Sequence, residues 1–128
     1  MSEKYNKYIT NGYHLEKNIF NKKEVDEILT MIEKFTERNK EKMLIYDINY
    51  TPEGKINTIH CLHKFEKTFF KYFNNNTRLK NICKDLLNEE DIEVTGIEAF
   101  LKPAGVGMES PIHQDNYLWC LEKPNALT

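Results

Sequence analysis

"GIEAFLKPAGVGMESPIHQDNYLW" occupies residues 96–119, and its reading decides the fold. The stretch begins apolar, breaks at Lys102-Pro103, passes through a Gly-containing loop and reaches His113 and Asp115, with Tyr117 and Trp119 close behind. "DIEVTGIEAFLKP", residues 91–103, reads as a long strand over roughly 92–102. Gly96 in its middle suggests a bulge or a close approach, and Pro103 ends it. On a strand, side chains two apart point to one face, so His113 and Asp115 can reach one metal ion from the same side. Imidazole with carboxylate suits Fe(II), Mn(II) or Zn(II), and two His plus one carboxylate form the facial triad of non-haem Fe(II) oxygenases. The spacing alone is weak, because a His and an Asp two apart also hydrogen-bond in ordinary loops.

Upstream, the local signals are stronger. "GYHLEKNIF", residues 12–20, reads as a short strand or an extended lead-in. Asn21 is a good N-cap, and Glu24 stands where a capping box needs it. Val25, Ile28, Leu29, Ile32 and Phe35 follow helical spacing, so a helix is expected over 22–38, with Phe20 and Val25 as a hydrophobic staple. "LIYDINY" (44–50) and "INTIH" (56–60) read as strands joined by the turn "TPEG". "KFEKTFFKYFNN" and "TRLKNICKDLLNE" read as two helices, split by Asn74 to Asn76, whose aromatic and aliphatic residues build the core. "NALT" at 125–128 reads as the first residues of another strand. Helices therefore come first and strands gather late, an α+β pattern.

The 128 residues fit one domain. Apolar residues make up 40% and charged residues 30%, which suits a folded chain rather than a disordered one. The net charge of -2, with Lys interspersed among Glu and Asp, sets up no field for nucleic acid or anionic membranes. No apolar run has signal-peptide or membrane-span length, so a cytoplasmic location is expected. Cys61, Cys83 and Cys120 are sparse, odd in number and unpaired in spacing, which argues against a disulfide framework.

The 96–119 stretch resembles the metal-binding segment of the phytanoyl-CoA dioxygenase family. That pattern is a strand ending in Lys-Pro, a Gly-containing loop, then Pro-x-His-Gln-Asp followed by aromatics. "KPNALT" resembles the following entry into a core strand. "NGYHLEKNIFNKKEVDEILTMIEKF" and "INTIHCLHKFEKTFFKYFNNNTRLKNICKDLL" are similar to the family's N-terminal half. The resemblance implies an Fe(II)- and 2-oxoglutarate-dependent dioxygenase built on a double-stranded β-helix (jelly roll). It assigns His113 and Asp115 as the first two iron ligands. An Asp at 115 resembles the hydroxylases rather than the halogenases, where a small residue stands. By the same resemblance, Tyr117 and Trp119 belong to a small-molecule substrate pocket, Glu98 to an inward strand position near cosubstrate, and His60 to a position where some members place a basic residue for 2-oxoglutarate.

The family also needs a second His and, about ten residues later, an Arg. Neither residue type occurs after Asp115 in this sequence. His14, His60 and His63 precede the motif, and Arg38 and Arg78 fall on expected helices. The expectation is thus a truncated jelly roll: one partial domain over 1–128, with a helix-and-hairpin part at 1–91 and the start of the core at 92–128. Such a chain is expected to be inactive alone, and its open sheet edge invites a second polypeptide that completes the roll. "HCLH" at 60–63 suggests a zinc module but lacks a partner pair at suitable spacing. A non-catalytic interaction module is compatible with the open edge. A hydrolase lacks the Gly-x-Ser-x-Gly elbow, and a nucleic-acid binder lacks a basic stripe.

Overall fold

Asn21 starts the longest helix in the way its sequence dictates. In the computed structural model, which describes residues 2–122 and 125–128, the Asn21 side chain accepts from the Glu24 backbone N–H at 3.0 Å. The Glu24 carboxylate accepts from the Asn21 N–H at 2.8 Å, closing the capping box. Helix α2 then runs Lys22–Asn39. An earlier helix, α1 (Glu3–Asn11), was not expected; Ser2 caps its start, and Gly12 ends it in the left-handed conformation at φ 77°. Residues 13–18 form no strand, so they are an extended lead-in.

The expected hairpin is present. Strands β1 (Ile48–Tyr50) and β2 (Ile56–Ile59) pair antiparallel around the 51–54 turn, where Gly54 takes φ 77° and its N–H donates to the Thr51 carbonyl. Short helix α3 (Leu62–Phe65), α4 (Lys67–Asn74) and α5 (Thr77–Leu87) follow; the single helix expected from Lys64 is broken at Glu66, whose extended backbone divides α3 from α4. The strand expected over 92–102 is cut down to β3, Ala99–Phe100, which pairs with β2. Its beginning is diverted, because the Ile97 carbonyl accepts from Leu62 N–H at the start of α3 rather than from a neighbouring strand. A Cβ at Gly96 would meet nothing within 4 Å, so no close approach occurs there. No strand forms at 125–128 either, and Lys123 and Pro124 of the "KPNALT" stretch lie outside the described residues.

The result is α+β, with a three-stranded antiparallel sheet in the order β1-β2-β3. Ile48, Ile59 and Ala99 are register partners across the three strands and form one buried row. Phe35, Leu62 and Phe69 cover that row. Phe35 meets Phe69 and Phe65 edge-on, at ring distances of 5.4 and 6.2 Å. The core therefore sits at the C-terminal end of α2. That explains why Val25 and Leu29, expected to pack inward, are exposed near its start. Phe20 packs edge-on against Phe73, so its partner is α4 rather than a staple at Val25.

At the same end of α2, Arg38 grips the Glu66 carboxylate with two nitrogens, and buried Asn39 donates to both the Phe35 carbonyl and Glu66. Phe35 has no exposed surface. Truncation to Ala leaves a cavity with sheet on one side and α4 on the other, and costs about 3–5 kcal/mol. Urea unfolding of Phe35→Ala against the parent checks this, with Val25→Ala expected to cost far less.

Candidate metal centre

One buried residue of β2 holds the chain where it leaves the sheet. The Asn57 carbonyl accepts from both Leu101 and Lys102 N–H, and its side-chain oxygen accepts from Met108 N–H at 2.9 Å. Between those contacts the chain closes a tight loop. Lys102 sits at φ 37°, and the Pro103 carbonyl accepts from Val106 and Gly107 N–H. A Cβ on Gly107 would stand 3.0–3.1 Å from Lys102 and Pro103 backbone atoms. The close approach that the sequence suggested at Gly96 is thus found at Gly107.

Residues 109–112 are exposed, and His113 follows. The segment is not the strand that the alternation argument assumed. Among the described residues no strand pairs with it, and the backbone satisfies itself locally instead. Asp115 opens a short helix, α6 (Asp115–Trp119). Tyr117 N–H donates to the Gln114 carbonyl and Cys120 N–H to the Asn116 carbonyl, while the Asn116 side chain accepts from Leu121 N–H. The two side chains nevertheless converge, with His113 Nε2 lying 3.1 Å from Asp115 Oδ1.

That separation has chemical meaning. Two ligands about 2.1 Å from one ion and at right angles stand about 3.0 Å apart. The pair therefore fits two adjacent positions around a single octahedral ion. His113 Nδ1 is 2.6 Å from the Pro111 carbonyl, which holds the ring with Nε2 toward Asp115, the outer hydrogen bond that orients a metal-ligating imidazole. Among the described residues no third His, Cys, Asp or Glu joins them.

The pair borders a cavity of about 680 Å³, lined also by Trp119, Leu121 and, from α1, Tyr8 and Gly12. A model of the family described as phytanoyl-CoA dioxygenase (PhyH) matches residues 8–128. The chain belongs to the phytanoyl-CoA dioxygenase family. No curated protein matches it, and neither does any solved structure. The family's enzymes are dioxygenases that generally depend on Fe(II) and 2-oxoglutarate.

The other family positions are distributed differently. Trp119 lines the cavity, but Tyr117 is 84% exposed and does not. His60 and Glu98 meet each other: Nδ1 lies 3.2 Å from the carboxylate, and Nε2 lies 3.0 Å from the Asn49 amide. Phe100 stands edge-on to the His60 ring. Neither His60 nor Glu98 borders the cavity of His113. The zinc arrangement at 60–63 gains no support. His60 is engaged by Glu98 and Asn49, His63 packs on Phe70, and all three cysteines are free. Among the described residues, no helix is long and apolar enough to cross a membrane. Sequence reasoning missed Asn57, Gly107 and Tyr8. Asn57 carried a signal as an amide inside an apolar strand, and Tyr8 carried one as part of Tyr5, Tyr8 and Ile9 at helical spacing.

Gly107→Ala must displace backbone and is expected to cost about 1–3 kcal/mol, while Gly96→Ala is nearly neutral. Thermal unfolding of both variants checks this contrast. His113 is held above the ordinary histidine range, first by the Pro111 carbonyl and then by the Asp115 charge. A raised folded-state value favours the folded state below the ordinary value, and this contribution fades as pH rises through the raised one. In the metal-free protein, an NMR titration should place the His113 midpoint above that of an unfolded control. Asp115→Asn should move it down, and an unchanged midpoint would contradict the pairing.

Proposed function

We propose that this chain carries the first part of an Fe(II)- and 2-oxoglutarate-dependent hydroxylase centre, with His113 and Asp115 as two of the iron ligands. The observation that carries the reading is their 3.1 Å convergence beside the cavity, in a chain of this family. When bound, iron and 2-oxoglutarate supply the activation of dioxygen that hydroxylates an unactivated C–H bond. The chain's own residues bind and orient. The Pro111 carbonyl aims the imidazole, Asp115 leaves no space for a halide and so favours hydroxylation, and Trp119 lines the cavity and gives the substrate an apolar surface.

The remaining His and the Arg that grips the far carboxylate of 2-oxoglutarate come, on this reading, from residues outside these 128. They lie on strands that complete a jelly roll on the β3 side, either further along the same polypeptide or in a second one. The 1–91 part then serves as the scaffold and 92–128 as the beginning of the core. Exposed Phe100 and the short, open β3 edge favour such an addition. The compartment that fits three free thiols is the cytoplasm.

The test is metal binding and turnover together. Mn(II), a redox-quiet stand-in for Fe(II), should bind the 128-residue chain weakly, and His113→Ala or Asp115→Ala should each lower its affinity at least tenfold. Without the missing His and Arg, the chain with Fe(II) should release no succinate from 2-oxoglutarate. Addition of a polypeptide that supplies them should switch release on. Mn(II) binding that ignores both substitutions, or succinate release by the chain alone, would sink this reading.

A further inference from the structure

We propose that Tyr8 of α1 is a specificity-determining residue of the same centre, forming with Trp119 an aromatic cradle for an apolar portion of the substrate. The inference rests on the reading of His113 and Asp115 as metal ligands. More than a hundred residues of sequence separate Tyr8 from them, yet Tyr8 and Gly12 line the 680 Å³ cavity that His113, Asp115 and Trp119 also line.

The placement is built rather than incidental. Ser2 and Gly12 cap α1 at its two ends. Lys4 pairs with Glu16 at 2.9 Å, and His14 reaches the same carboxylate at 3.0 Å, which fastens the helix to the segment after it. Helix α1 packs on α5, and Asn125, the neighbour of cavity-lining Ala126, donates from its side chain to the Leu87 carbonyl at the end of α5 and to Glu89. Helix α5 thus touches both α1 and the segment that carries Ala126.

The choice of residue on α1 points the same way. Lys4, Tyr5 and Tyr8 are its half-buried positions, whereas Ile9 is 61% exposed. If α1 only covered apolar surface, burial would favour the aliphatic side chain on the inner side. The inner side instead carries an aromatic ring with a polar tip, the side-chain type that suits a ligand wall with one wet end.

The experiment uses the full 128-residue chain, labelled for NMR. Tyr8→Ala, or Tyr8→Leu should the first fail to fold, is expected to shift the amide signals of residues 113–121 and the Trp119 indole signal. Ile9→Ala should leave them in place. Unmoved signals in the Tyr8 variants, or equal shifts from Ile9→Ala, would overturn the proposal whether or not metal binds. Mn(II) is then added to the unsubstituted chain. Its broadening falls with the sixth power of distance, so His113 and Asp115 should broaden first and the Tyr8 ring more than the Tyr13 ring. Broadening at 113–116 that spares Tyr8 relative to Tyr13 would also overturn it. Broadening nowhere near 113–116 would defeat the metal-centre reading itself and leave the variant shifts to decide the place of Tyr8.

Discussion

The amide of Asn57 is the point on which the route of the chain depends. It is buried on β2, and three backbone N–H groups, from Leu101, Lys102 and Met108, converge on its two oxygens. A single such bond contributes about 1 kcal/mol net, but a buried amide left without partners costs more than that. Asn57 thus demands that the chain return to it after β3. Pro103, with no N–H to offer, cannot extend the ladder, and Gly107 lets the loop close against Lys102 without a clash. The backbone carbonyl of Asn57 carries the β2–β3 pairing on to Lys102, and its side-chain oxygen ties Met108 back to β2, so the departure toward His113 starts from a fixed point.

Beneath that exit the sheet is held from one side. The row Ile48, Ile59 and Ala99 is too narrow to exclude water unaided, and the aromatic cluster around Phe35 completes it. Glu66 ties the end of α2 to the join between α3 and α4 through Arg38 and Asn39. The opposite face bears Asn49, Thr58 and Phe100 as register partners, with Phe100 exposed. An apolar ring on an open edge strand is costly to leave in water.

Elements specified by neighbouring residues were legible in the sequence. The capping box at Asn21 and Glu24, the turn at 51–54 and the helices at 67–74 and 77–87 all carry their instructions within a few residues. Elements that need a distant partner were not. The 92–102 segment has strand composition, yet its pairing with β2 is confined to Ala99–Phe100 and the Leu101 and Lys102 N–H groups that follow, because the Ile97 carbonyl is taken by Leu62 and Pro103 offers no N–H. Helix α1 is short and mostly polar, with only Tyr5, Tyr8 and Ile9 at helical spacing, so neither it nor Tyr8 was expected. Of the candidate site, the convergence of His113 and Asp115 was legible although its backbone was misread. Alternation on a strand and a bend into a helix both bring residues two apart within reach. That His60 and Glu98 would occupy each other depended on β2–β3 pairing, which no local pattern encodes.

The contrast between these two His-carboxylate pairs shows how the proposed centre can be organised in stages. His60 and Glu98 are brought together by paired strands, so their geometry exists only once the sheet does. His113 and Asp115 are brought together by bonds confined to residues 111–121, from the Pro111 carbonyl to the Asn116–Leu121 clasp. Asn57 fixes where that segment leaves the sheet, and α5, through α1 and Asn125, fixes what lies beside it. The two side chains are therefore held 3.1 Å apart by bonds within their own segment. On the proposed reading, a third ligand would join a prepared pair rather than gather three separate side chains. The ordering cost of the pair has already been met by short-range hydrogen bonds, which is the advantage of preorganisation in any binding site.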